Sequence, residues 1–185
     1  NGGDDRVTPL GIGWNFAYSA WAQEYDGGSV LITGADGSSS FFDADGDGFE
    51  ARAGASATLE RTDDGVALTR VDGTQQTFVI DEDTGFGYLD TMVDRQGNAY
   101  TLEYGTLAEP EGDLPAFAPL ESITDEAGQT VEVEASAQGR ITAFVHPDGR
   151  RWELAYTEDR LSAITDGAGR TRAFAYTDGG LLETV

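Results

Sequence analysis

The sequence predicts an all-β protein built from antiparallel β-hairpins. Three observations predict it. Asp-Gly occurs nine times, at Asp26, Asp36, Asp45, Asp47, Asp64, Asp72, Asp148, Asp166 and Asp178. Between apolar runs that dipeptide signals a tight hairpin, in its two-residue form a type I′ turn with φ > 0 at both central residues. The intervening segments are short and rich in Val, Ile, Thr, Phe and Tyr, which suit a pleated, half-buried surface. No stretch holds a 3.6-residue apolar period for three turns without a glycine, so no helix is expected.

In chain order, strands are expected at Ser29–Thr33, Ser40–Phe42, Ala57–Arg61, Val66–Val71, Thr77–Ile80 and Tyr100–Tyr104. Residues 1–88 read as an N-terminal hairpin segment and residues 89–185 as a repeat. The repeat aligns on Asp94-Arg95-Gln96-Gly97, Asp125-Glu126-Ala127-Gly128, His146-Pro147-Asp148-Gly149 and Asp166-Gly167-Ala168-Gly169, whose glycines are 31, 21 and 20 residues apart. A unit of about 20 residues must stack on its neighbours to bury a face. The longer first interval holds an insertion at about 106–119 with three of the five prolines, which reads as a surface loop.

Three, five and seven residues after each glycine stand Tyr100, Leu102, Tyr104; Val131, Val133, Ala135; Trp152, Leu154, Tyr156; and Arg172, Phe174, Tyr176. These positions share one strand face, and the alternating positions are polar or small, the signature of a sheet with one buried side. Before each turn stand the apolar pairs Leu89/Met92, Leu120/Ile123, Ile141/Phe144 and Leu161/Ile164. An i, i+3 pair cannot share a face of a regular strand, so a β-bulge or strand bend is expected inside each pair.

Composition removes several function classes. The 185 residues carry 34 acids and 11 bases, a net charge of −23, and every base is arginine. Nucleic-acid binding and attachment to anionic lipid both need a basic face and are not expected. There is no cysteine, hence no disulfide, thiol chemistry or zinc–sulfur site. No apolar run reaches the roughly 20 residues that span a bilayer. Residues 1–139 hold 27 acids and 5 arginines, and residues 140–185 hold 7 and 6, so nearly all the charge lies in the first part. A lysine-free acidic surface suits a high-salt or calcium-rich setting, and equally a GC-rich genome.

Three constellations offer chemistry. Asp43, Asp45 and Asp47 stand at alternate positions before Gly48, the opening of a calcium loop, with Glu50 in place of the missing twelfth-position glutamate. Trp14 and Trp21 offer an aromatic glycan-binding platform, against the alternative of core packing. The apolar C-terminal arm, with Leu181, Leu182 and Val185, is an edge that fits an interface. His146, the single histidine, reads as a turn residue, because no nucleophile is marked beside it. No carboxylate pair is singled out for glycoside hydrolysis, and no catalytic residue is assigned.

Tyr156-Thr157-Glu158-Asp159-Arg160-Leu161-Ser162-Ala163-Ile164-Thr165-Asp166-Gly167-Ala168-Gly169-Arg170 resembles the YD repeat of RHS proteins, with Tyr176–Leu181 a looser copy. Thr157 replaces the aspartate of that pattern, and Asp159 stands where a glycine precedes the arginine. Leu10-Gly11-Ile12-Gly13-Trp14-Asn15-Phe16-Ala17-Tyr18, followed by Asp36-Gly37 with Phe41 and Phe42 and by Asp72-Gly73 with Phe78, resembles the segment preceding the repeats. The resemblance extends over about the whole chain. It implies a curved or spiralling sheet, a partial RHS-like shell, with about four YD-like units and neither the family's C-terminal core motif nor a toxin domain. The expected function is a non-catalytic structural module, a shell segment or surface-fibre subunit, extracellular or on the cell surface. Its partners would be neighbouring repeats or copies of itself. The alternatives are a calcium-assisted glycan-binding or adhesion module and, behind it, a glycoside hydrolase.

Overall fold

The computed structural model describes residues 8–54, 56–106, 118–136 and 139–184. Most of the expected insertion, residues 107–117, and Val185 lie outside them. The described chain has strands and turns and no helix. It divides into two units, residues 16–102 and residues 1–15 with 103–185.

The unit of residues 16–102 holds β1 (Trp21–Glu24), β2 (Val30–Thr33), β3 (Ser39–Asp45), β4 (Gly48–Ala51), β5 (Ala57–Thr62), β6 (Gly65–Arg70), β7 (Gln75–Ile80) and β8 (Phe86–Val93), and β9 (Ala99–Tyr104) leads out of it. Consecutive strands pair antiparallel except β4 and β5, and β8 also pairs with β1. The hydrogen-bonded row therefore runs β4-β3-β2-β1-β8-β7-β6-β5, and its last strands, β4 and β5, lie side by side. Alternation fills the inside of this rolled sheet. Ala22 faces Ile32, Val30 faces Phe42, Leu59 faces Leu68, and Phe78 is flanked by Val66 and Leu89. All nine are buried. Arg61, on the inward-facing parity of β5, lies 4.7 Å from the Phe49 ring of β4 and binds Glu24 and the Gly28 carbonyl, tying the two row ends together.

The other unit holds β10 (Leu120–Asp125), β11 (Thr130–Ala135), β12 (Ile141–Val145), β13 (Arg151–Thr157), β14 (Arg160–Thr165) and β15 (Thr171–Ala173) as an antiparallel meander, then the hairpin β16 (Ala175–Tyr176) with β17 (Leu182–Thr184). The expected burial register holds in outline. Leu102, Val133 and Phe174 are buried and Leu154 is part-buried, whereas Arg172 is exposed.

The bulges fall where the i, i+3 pairs place them. Thr142 is extra between Ile141 and Ala143, Ser162 between Leu161 and Ala163, and Asp90 between Leu89 and Thr91. The β10–β11 ladder is regular over Ser122–Thr124.

The repeat turns differ from the type I′ expectation. At Asp94, Asp125, His146 and Asp166 the same five-residue turn recurs. The first residue's N–H bonds the fifth residue's carbonyl, and the glycine N–H bonds the first residue's carbonyl. Only the glycine is left-handed, with φ between 78° and 92°. A three-residue loop needs one positive φ where type I′ needs two. The aspartate's value is its carboxylate. Asp94, Asp125 and Asp166 each accept two backbone N–H bonds, and Asp148 accepts one from Arg150.

The N-terminal segment belongs with the repeats. The Ile141 N–H donates to the Pro9 carbonyl and the Ile12 N–H to the Asp159 carbonyl, both at 2.8 Å. Gly11 has φ +86°, and a Cβ there would sit 2.5 Å from the Asp159 oxygen. Only glycine fits this approach.

Two predictions follow from this packing. Leu161 is fully buried beside a bulge, so Leu161→Ala is expected to cost about 2–5 kcal/mol in denaturant unfolding. Part-buried Leu154 is expected to cost clearly less, and equal costs would contradict the observed register. The second concerns pH. Backbone bonding from Arg150, with help from His146 and the Arg150 side chain, holds Asp148 at about 2, and Asp94 and Asp166 are lowered likewise by the bonds of their turns. A depressed folded pKa gives stability that is complete above the unfolded value near 3.8 and lost as pH falls through the folded one. Melting temperature is expected to drop between pH 4 and 2, with the Asp148 carboxyl titrating near 2 by carbon NMR. A midpoint near 3.8 would show that its turn bonds are absent in solution.

Candidate functional site

In residues 103–185 the chemistry that recurs is a junction between repeats. A bulge leaves its strand with a backbone group outside the regular ladder. The Tyr156 hydroxyl donates to the Ile141 carbonyl and the Tyr176 hydroxyl to the Leu161 carbonyl, each at 2.6 Å. Both acceptors immediately precede the bulged residue. An arginine covers each ring, Arg140 at 5.1 Å from Tyr156 and Arg160 at 5.4 Å from Tyr176. Arg140 also binds the Glu158 carbonyl and the Asp159 carboxylate, and Arg160 binds the Gly180 carbonyl. Burial pushes Tyr156 up to about 12, with Arg140 opposing, so its hydroxyl remains a donor at neutral pH. The planar guanidinium suits this double duty, stacking on a ring while its edge binds oxygen.

A third copy of this motif ends differently. Gly180-Leu181-Leu182 follows the turn that begins at Thr177, as Gly139-Arg140-Ile141 follows the turn that begins at Ser136. Leu181 therefore stands at the arginine position and Leu182 at the position of Ile141 and Leu161. Ile141 and Leu161 are 0% exposed, Leu182 is 47% exposed and Leu181 63%. The expected interface residues Leu181 and Leu182 thus lie on an open apolar edge, and Val185 is outside the described residues.

The expected platform is divided. Trp14 falls in the unit with the repeats, where its ring packs 4.7 Å from Phe174 and its indole N–H donates to the Tyr176 hydroxyl at 2.7 Å. It packs within the repeats and serves the second junction. Trp21 falls in the other unit, on β1, stacked near-parallel on Phe86 at 5.6 Å.

The expected calcium ligands are not gathered. Asp43 and Asp45 lie on β3, Asp47 is in the two-residue turn to β4, and Glu50 stands opposite Asp43. Both oxygens of Asp43 are held by Arg52, at 2.6 and 2.7 Å. Strand geometry spreads these side chains along a ladder, where a calcium loop would fold them inward. Among the described residues no three acidic or histidine side chains are grouped to hold a metal ion. A cavity of about 600 Å³ at one end of the 16–102 unit is lined by seven carboxylates, among them Glu24, Asp63 and Asp81, around Arg61. His146 is a turn residue as expected, its Nδ1 2.8 Å from Asp148.

The tyrosine hydroxyls and their arginines were the functional groups that alternation missed. Period two marks Tyr156 and Tyr176 as face-filling rings and is blind to a bond reaching back 15 residues. The available signal was the recurrence of Arg140 and Arg160 at the repeat interval.

Replacing either tyrosine by phenylalanine leaves a part-buried carbonyl without its donor, an expected cost of about 1–3 kcal/mol. Tyr176→Phe also strands the Trp14 indole N–H, so it is expected to lower the melting temperature more than Tyr156→Phe. The reverse order in calorimetry would contradict the role given to Trp14.

Among the described residues no helix is long and apolar enough to cross a membrane. A search of curated proteins finds no match to the chain. Residues 136–171, which carry Arg140, the bulges at Thr142 and Ser162 and Tyr156, match the family described as RHS Repeat.

Proposed function

We propose that the chain is a non-catalytic structural β-repeat module of a secreted or cell-surface protein, a segment of an RHS-like shell or fibre, and that its C-terminal hairpin is the surface that receives the next β-strands. The observation that carries this reading is the exposure of Leu182 at a position where Ile141 and Leu161 are fully covered. In each earlier copy a tyrosine of the following repeat bonds the carbonyl before the bulged residue, and residues 9–14 bond the same region. The hairpin β16–β17 thus offers an apolar face and an edge strand of the kind that accepts β-augmentation. Repeats of this kind build an extended framework, each stabilised mainly by its neighbours.

Charge favours contact at this end. Residues 140–185 are nearly neutral, 7 acids against 6 arginines, while the rest of the chain is strongly acidic. Screening of that acidic part should promote association between copies. In sedimentation from low to molar salt, association is expected to grow with salt and to be abolished by Leu182→Asp, which places a charge on the open face. A monomer at every salt concentration, or an association indifferent to Leu182→Asp, would overturn the reading.

A further inference from the structure

The outer face of the 16–102 unit carries a second cluster, independent of the repeats. Tyr25, at the end of β1, is 47% exposed and stacks on Phe41 of β3, with ring centroids 5.9 Å apart and planes 27° from parallel. The Arg52 guanidinium lies 3.9 Å from the Phe41 centroid. It is held there by a two-point bond to Asp43, Nε to Oδ2 at 2.7 Å and Nη2 to Oδ1 at 2.6 Å. Both members of that pair are exposed, at 57% and 44%. Rings and fork are therefore positioned in advance while remaining open to solvent.

We propose that Tyr25, Phe41, Asp43 and Arg52 form a binding site for a neutral pyranose sugar. Three features select that class. The exposed Tyr25 ring offers an apolar, electron-rich face to the axial C–H groups of a sugar ring. The fork places acceptors beside donors, because each Asp43 oxygen keeps a second lone pair and Arg52 keeps N–H groups beyond the two it uses. Vicinal hydroxyls match this pattern, one donating to the carboxylate and its neighbour accepting from the guanidinium. The third feature is charge. A chain of net charge −23 repels uronic, sialylated and sulfated glycans, so the ligand is uncharged. The fixed fork also lowers the ordering cost of binding, since Arg52 is already held by Asp43 and Phe41. The site uses neither Trp14 nor Trp21, and it leaves Asp43 a hydrogen-bonding group.

The test is a titration of the full chain, followed by amide NMR, with hexaoses of β-1,4-glucose, β-1,4-N-acetylglucosamine and α-mannose up to ~10 mM, a range suited to a shallow site of millimolar affinity. At least one hexaose is expected to shift the amides of residues 25, 41, 43 and 52. Tyr25→Ala and Arg52→Lys are each expected to weaken binding about tenfold or more, the second because lysine keeps the charge and loses the fork. Val71→Ser, at an exposed position away from the cluster, should bind as the parent does. Circular dichroism on each variant separates lost binding from lost fold, and where Tyr25→Ala unfolds, Arg52→Lys decides. No perturbation by any of the three sugars, shifts confined to other residues, or unchanged affinity in folded variants would overturn the proposal. Equal binding of a hexauronate would overturn the neutral class.

Discussion

The repeats depend on the β-bulge. A regular antiparallel ladder consumes every second backbone group on each side, and a bulge breaks that count by one residue. A buried carbonyl left over in this way costs about 1–3 kcal/mol unless something donates to it. This chain places bulges at Thr142 and Ser162, so the deficit recurs with the repeat. Each is met by a tyrosine from the following repeat. The consequence is dependence between neighbours, since each of these two carbonyls takes its donor from the repeat that follows. That dependence, more than the hydrophobic face alone, is what makes the exposed Leu182 informative.

The N-terminal segment bonds the same region at other backbone groups. Pro9 accepts from Ile141, the residue before the first of these bulges, and Ile12 donates to Asp159 in the turn before the second. Trp14 then donates to the hydroxyl that caps Leu161. The short run of residues 9–14 thus reaches three parts of the repeat, through one backbone acceptor, one backbone donor and one ring donor. Gly11 is what permits it to lie so close, since any side chain there would meet the Asp159 oxygen.

These features were unequally legible in the amino-acid sequence. The all-β class, the repeat glycines and the buried face follow from local chemistry, and each bulge at Thr142 and Ser162 follows from one apolar pair at an i, i+3 spacing. The turns were located correctly, but their type was not, because Asp-Gly is compatible with one or two left-handed residues and only the loop length decides. The pairing of β8 with β1 was beyond reach, since it joins segments some sixty residues apart through main-chain groups that every residue owns. Asp43 shows the converse failure. Its spacing from Asp45 and Asp47 suits a cation, yet Arg52, brought opposite by the hairpin, uses the carboxylate first. Motif spacing describes one strand, and a ladder is decided by two.

The charge distribution then acquires a structural cause. In residues 140–185 the arginines fall into positions set by the repeat. Arg140 and Arg160 cover the junction tyrosines, while Arg150 and Arg170 pair with the turn carboxylates of Asp148 and Asp166. Arg151 of β13 binds Glu153 on its own strand and Glu134 on β11, across β12. Five of the six arginines in residues 140–185, all but the exposed Arg172, have an assigned oxygen or ring, and together the six bring this part of the chain near neutrality without any appeal to habitat. Lysine could carry the charge but could not lie flat on a ring while reaching a carbonyl with its edge, which gives a local reason for arginine at the junctions. Leu181 departs from this pattern at the position where the third arginine would stand. A leucine there cannot offer a guanidinium to an oxygen or a ring, and its side chain is 63% exposed.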